Sequence, residues 1–291
     1  MKTKLRHIGS QLTVIIALLS TAVYADKYSG GSGIKTSPYI LKSLSDLKKL
    51  SETSSDWSKH FILHADIDAE ETKTWNVGDH DNDSSTAETA MGFSPIGTNQ
   101  SRCFTGTFNG NRHKISNLYI NRPRTTYTGL FGVIGSRKSF KATIENLSLE
   151  NCSISGVISG SIAAFTTRVY IKNCQVSGRI TGIVETGGLM GICEASKVEY
   201  STADVYVKCV EGDAGGYAGL ADKSEFYNCR ATGVVESLNV KSSMNYNADK
   251  STACIIDSTK LKTLHNCRST AQVVTDEFLE SELKQVTVHR H

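Results

Sequence analysis

The chain has 291 residues, 39% of them hydrophobic, with 32 lysines and arginines against 29 acids. No Lys/Arg stripe runs through it, which argues against nucleic acid as a partner. Its length allows one sizeable domain or two small ones, and with three prolines and no Pro-rich or Gly/Ser-rich linker it reads as one continuous body.

Lys2, Lys4 and Arg6 precede an apolar run from Leu12 to Leu19 and the small-residue stretch Val23-Tyr24-Ala25. This predicts a secretory signal peptide over residues 1–25, cleaved after Ala25. The run is too short to span a bilayer comfortably, so an integral membrane protein is not expected after cleavage. Cleavage removes three basic residues and no acid, which leaves the mature chain formally neutral. The expected location is secreted or at the cell surface.

His60 and His64 stand four apart but lack the glutamate of a helical H-E-x-x-H zinc motif. They fall on a predicted strand and read as ordinary strand histidines. The densest acidic cluster follows, Asp79-His80-Asp81-Asn82-Asp83-Ser84, between Trp75 and Pro95. Acids at every second position make Asp79, Asp81 and Asp83 candidate calcium ligands, and a solvated loop is the alternative. The EF-hand frame fails, because Ser84 stands where glycine is needed and Ala90 where the twelfth-position glutamate belongs. The expected cofactor set is empty unless this loop takes calcium.

From Phe104 onward the chain repeats. An apolar-x-Asn-(Leu/Cys) element recurs at Ile115-Ser116-Asn117-Leu118, Ile144-Glu145-Asn146-Leu147, Ile171-Lys172-Asn173-Cys174, Phe226-Tyr227-Asn228-Cys229 and Leu264-His265-Asn266-Cys267. Val198-Glu199-Tyr200-Ser201 is a degenerate copy, and the steps are 29, 27, 27, 28 and 38 residues. A second element keeps time with it: Gly129-Leu130-Phe131-Gly132, Gly188-Leu189-Met190-Gly191 and Gly216-Tyr217-Ala218-Gly219. Worn copies stand at Ser161-Ile162-Ala163-Ala164 and Thr252-Ala253-Cys254-Ile255. Each repeat reads as three short strands separated by turns.

A repeat of about 27 residues cannot bury its own inward side chains, but stacked repeats can, each strand pairing in parallel with its counterpart about 4.8 Å away. The L-x-x-L-x-L frame of a leucine-rich horseshoe is missing, and the period is too short for a propeller blade. The Asn positions are expected to form one corner ladder of stacked amides. Cys174, Cys229 and Cys267 share a position with Leu118 and Leu147, so they are expected to be inward apolar substitutes. Buried thiols are the leading expectation for the cysteines; adjacent coils could place Cys229 and Cys267 close enough to bond, and the pairing of Cys103, Cys152, Cys193, Cys209 and Cys254 stays open.

The Gly-Leu-x-Gly copies, the segment Phe104-Thr105-Gly106-Thr107-Phe108-Asn109-Gly110 and the entry Tyr28-Ser29-Gly30-Gly31-Ser32-Gly33 with Pro38-Tyr39-Ile40 resemble GLUG-repeat proteins. These are bacterial exported or surface proteins, whose repeats also accompany the catalytic domain of IgA-specific metallopeptidases. The resemblance implies an N-terminal cap, fitted here by a Pro38-Tyr39-Ile40 strand, a helix over Ser45–Leu50 with Ser45 as N-cap, and a strand over Phe61–Asp68. It departs from the family at Asn109-Gly110-Asn111-Arg112-His113, where an Asp-Gly-Asn-Gly-His turn is usual, and in the last copies, which lose their glycines.

The expected fold is therefore all-β, a right-handed parallel β-helix (solenoid) with a small N-terminal cap containing a short helix. The boundaries are 1–25 signal peptide, 26–100 cap and first coil with the acidic loop, 101–274 repeats, and 275–291 tail. The acids Glu145, Glu150, Glu185, Glu199, Asp204, Asp222 and Glu225 are read as sharing no repeat register, and no zinc peptidase motif is present. The expected function is an exported, non-catalytic, adhesin-like binding protein that engages a surface glycan or protein. A polysaccharide lyase or glycoside hydrolase is the alternative; an ice-binding face would want rows of Thr-x-Thr, and Thr105-Gly106-Thr107 is a single instance.

Overall fold

The computed structural model describes residues 27–78, 88–138, 142–237, 255–260 and 262–275. The predicted signal peptide, the acidic loop with Asp79, Asp81 and Asp83, Cys254 and the tail beyond residue 275 lie outside the described residues.

Four stacks of strands build the body, and they follow one another in the same order in each full coil. Sheet A has five strands, Phe131–Gly135, Ala163–Thr167, Met190–Glu194, Ala218–Asp222 and Ile255–Lys260. Sheet B has eight: Tyr39–Leu41, His60–Leu63, Thr107–Asn109, Thr143–Glu145, Tyr170–Lys172, Lys197–Glu199, Glu225–Tyr227 and Thr263–His265. Sheet C has nine, dominated by the eight-residue strands Ser148–Ser155, Gln175–Gly182, Thr202–Cys209 and Arg230–Ser237. Sheet D has four very short strands, Tyr127–Thr128, Ile158–Gly160, Thr186–Gly187 and Ala214–Gly215. All pairings in these stacks are parallel, as in Tyr170↔Lys197↔Glu225. A parallel β-helix is the result.

Each coil thus has four strands where three are predicted. Sheet D escapes the sequence pattern because its strands are two or three residues long and rich in glycine, too short for alternation to register.

The in-out pattern carries the packing. The central residues of the sheet B strands, Phe108, Ile144, Ile171, Val198 and Phe226, are all fully buried. So are Leu130, Ile162, Leu189 and Tyr217 of the Gly-Leu-x-Gly copies. Burying each such side chain stabilises by about 1.5–3 kcal/mol. The glycines answer to close approach: a Cβ on Gly188 would lie 2.1 Å from the Gly216 carbonyl oxygen of the next coil. In the last copy Ile255, not Cys254, pairs with Ala218.

The N-terminal end is closed by the helix Leu44–Glu52, one residue earlier than predicted and capped by Ser43 instead of Ser45. Ser43 Oγ accepts from the Asp46 N–H at 3.2 Å. Burial raises the Asp46 pKa, but hydrogen bonds from the Lys42 N–H and the Ser29 and Ser43 hydroxyls outweigh it and hold the carboxylate below its ordinary range. The Phe61–Asp68 strand is split: His60–Leu63 joins sheet B and Ile67–Asp68 joins sheet C, with a corner between them. A run of rings from Tyr28 through Tyr39, Phe61 and Phe104 to Phe131 joins cap to coils, with centroids 4.7–6.1 Å apart.

Candidate functional site

The corner between sheets B and C turns on one residue per coil in the left-handed conformation: Asn146 (φ 52°), Asn173 (52°), Tyr200 (49°), Asn228 (52°) and Asn266 (50°). Asparagine suits this geometry because its short amide tolerates positive φ. Asn173 Nδ2 donates to Asn146 Oδ1 at 3.2 Å, and Asn266 Nδ2 to Asn228 Oδ1 at 2.7 Å.

Asn117 does not belong to this ladder. Thr107–Asn109 pairs with Thr143–Glu145, so Gly110 underlies Asn146, while Lys114–Ser116 pairs with Ser148–Glu150 and puts Asn117 under Asn151. Asn151 Nδ2 donates to Asn117 Oδ1 at 2.8 Å, and Asn117 Nδ2 to Asp68 at 2.9 Å. Both corners demand an apolar residue followed by a left-handed asparagine, so the sequence motif is identical at each. Leu118 likewise underlies Cys152, not Leu147. The column after the Asn corner runs Leu147, Cys174, Ser201, Cys229, Cys267, with the first four buried.

Tyr200 is the exception on the corner. It is a bulky side chain in a conformation that costs an L-residue about 1–2 kcal/mol, and it is 53% exposed. It interrupts the amide ladder, so the Asn173 carbonyl lacks the donor that the next rung supplies elsewhere. Its ring, with Arg112, Asn146, Ser148, Asn173 and Gln175, lines a polar groove of about 420 Å³. Arg112, the departure from the usual turn sequence, is itself left-handed at φ 66°.

The outward face of sheet B adjoins this groove. Register sets two columns: Thr107, Thr143, Tyr170, Lys197, Glu225, Thr263, and Asn109, Glu145, Lys172, Glu199, Tyr227, His265. Lys197 Nζ sits 5.7 Å from the Tyr170 ring centre and 5.0 Å from that of Tyr227, and 2.6 Å from Glu199. Lys172 Nζ lies 6.0 Å from the Tyr200 ring. Beyond the opposite edge of the face is a second groove of about 620 Å³, lined by Tyr170, Lys197, Lys223, Glu225 and Lys262 among others.

Glu145 and Glu199 do share a column, contrary to the sequence reading, two coils apart with Lys172 between them. Hydrogen bonds from Lys197 and Tyr170 hold Glu199 below its ordinary range, and Lys262 does the same for Glu225. The same hydrogen bonds raise Lys197 and Tyr170. A general acid needs the opposite shift. The other acids scatter: Asp204 pairs with Thr232, Glu150 with Lys114 and Asp222 with Lys223.

His60 begins a sheet B strand, and His64 follows that strand and donates its backbone N–H to Leu41. Among the described residues no group of three or more His, Cys, Asp or Glu is arranged to hold a metal, and no helix is long and apolar enough to cross a membrane.

No family model matches the chain. In fold it resembles a "putative immunoglobulin A1 protease". The crystal structure in question, from Bacteroides ovatus, superposes with a TM-score of 0.55 over 86% of this chain and 81% of that one. At 15% identity the likeness establishes the fold alone. In sequence the chain is 33% identical over 192 residues to Halomucin of Haloquadratum walsbyi, covering 65% of this chain. It is 34% identical over 138 residues to a "Putative Gly-rich membrane protein" of Evansella cellulosilytica, covering 47% of this chain. The chain spans only 2% and 14% of the lengths of those two relatives.

Sequence reading passed over Tyr200 because it scored as a degenerate repeat. The available signal was that very lapse: one bulky aromatic at a position otherwise given to asparagine.

Proposed function

We propose that this protein is an exported, non-catalytic surface protein with GLUG-type repeats, adhesin-like in action, that binds a glycan along its Asn corner. Tyr200 carries the reading. A half-exposed ring at a strained backbone position, flanked by amides and a guanidinium, suits a pyranose, whose C–H face stacks on an aromatic while its hydroxyls take amide hydrogen bonds. The corner itself imposes the left-handed backbone on each coil from Asn146 to Asn266, so what marks Tyr200 is an exposed ring where the others place an asparagine amide. The likeness to Halomucin and to a membrane protein supports a surface location.

The lyase or hydrolase reading draws no support from Glu199 and Glu225, whose pKa values are lowered by hydrogen bonds from Lys197, Tyr170 and Lys262. We propose separately that the acidic loop takes calcium through Asp79, Asp81 and Asp83. The test is retention of residues 26–291 on a polysaccharide and glycan array, with calcium and with chelator, followed by assay of the retained glycan for new reducing or unsaturated ends. Retention without products, lost in Tyr200→Ala, supports the reading. Product formation overturns it, and loss with chelator assigns the acidic loop a role.

A further inference from the structure

We propose that Cys229 and Cys267 form a disulfide that staples the last described coil to the one before it. Register fixes them opposite each other. Tyr227 pairs with His265 on one side and Arg230 with Arg268 on the other, so the two cysteines occupy one rung of a parallel stack. Neighbours on such a rung have Cα atoms about 4.8 Å apart, inside the roughly 4.4–6.8 Å span of disulfides. The Cys229 N–H donates to Cys267 Sγ at 3.4 Å, and the two thiols share a hydrogen bond. Elsewhere in the column the rungs differ: Ser201 separates Cys174 from Cys229 and accepts the Cys174 N–H at 3.2 Å.

The environments divide the labour. Cys229 is buried, whereas Cys267 is half-buried on the outermost described coil. The shared hydrogen bond lowers Cys267 to about 7 and, with burial, pushes Cys229 up. Cys267 is therefore the attacking thiolate. It attacks one sulfur of a small-molecule disulfide such as glutathione disulfide; that S–S bond breaks, a mixed disulfide forms on Cys267, and one thiol leaves. Cys229 gives up its proton and attacks the Cys267 sulfur, which expels the second thiol. Two protein thiols lose two electrons and two protons, and the oxidant gains them. An exported protein meets such an oxidising setting, but the geometry and the test stand independently of the glycan reading.

The chain offers a direct assay, because Cys229 lies alone in the tryptic peptide Ser224–Arg230 and Cys267 alone in Thr263–Arg268. The folded, reduced full chain is incubated with glutathione disulfide, alkylated under denaturing conditions and digested without reductant. The expected product is the two peptides linked, separating on reduction, with Cys174 recovered alkylated. Recovery of both peptides as free thiols or glutathione adducts, or linked to other cysteines, overturns the proposal. In Cys267→Ser the expected result is an unlinked Cys229 that resists maleimide in the folded protein. A native Cys229 that reacts as readily as a denatured one also overturns it.

Discussion

Replacing Tyr200 with asparagine separates stability from function, because it restores the rung that this coil lacks. Relief of the left-handed backbone returns part of about 1–2 kcal/mol. Two rebuilt amide hydrogen bonds, to Asn173 and Asn228, each contribute about 0.5–1 kcal/mol at this exposed corner. Against this stand the lost contact with Lys172 at 6.0 Å, about 0.5 kcal/mol, and the covered half of the ring, about 1 kcal/mol. The balance is stabilising by about 0.5–1 kcal/mol, a rise in melting temperature of about 1–4 °C for a body of this size. Glycan retention falls at least about tenfold, equivalent to about 1.4 kcal/mol. Differential scanning calorimetry and array binding on the same preparation read both. A lower melting temperature with unchanged retention would refute the reasoning, since Tyr200 would then be a packing residue.

Glu199, Glu225 and Glu236 all have depressed pKa values in the folded state. Their contribution is complete above the ordinary glutamate value of 4.5 and is lost as pH falls through the lower folded values. Melting temperature should therefore drop progressively below about pH 4.5, and Glu199→Gln should flatten that drop in a pH series of thermal melts. Phe226→Ala empties a fully buried position whose ring stacks on Tyr217 at 5.9 Å; chemical denaturation should show a loss of about 3–5 kcal/mol. Gly188→Ala forces a methyl group to 2.1 Å from a carbonyl oxygen of the next coil and should cost about 1–3 kcal/mol or more in the same assay.

The solenoid was legible because burial imposes a two-residue alternation on most sheet B strands and the corner after them favours a left-handed asparagine. The frame of the first coil was not. Asn117 and Asn146 satisfy the same local demand at different corners, and only pairing across coils separates them. Sheet D was hidden for a related reason, since two-residue strands such as Thr186–Gly187 are too brief to show a period. The register of Glu145 with Glu199 followed from the repeat itself, yet the column only acquires meaning once Lys172 is seen between them. The polar groove was the least legible element, because Arg112 and Tyr200 lie 88 positions apart in the chain and come to line it only through stacking of the coils.

The amide ladder has a direction. At both preserved steps the donor is the later coil and the acceptor the earlier one, so the amide dipoles are aligned along the solenoid axis. Tyr200 breaks that polarised column into two shorter ones, leaving a carbonyl at one lip of the gap and an amide donor at the other. A linear polymer lying along the axis would therefore meet different partners when turned end for end, so the proposed glycan would be read at this corner for its orientation as well as its composition.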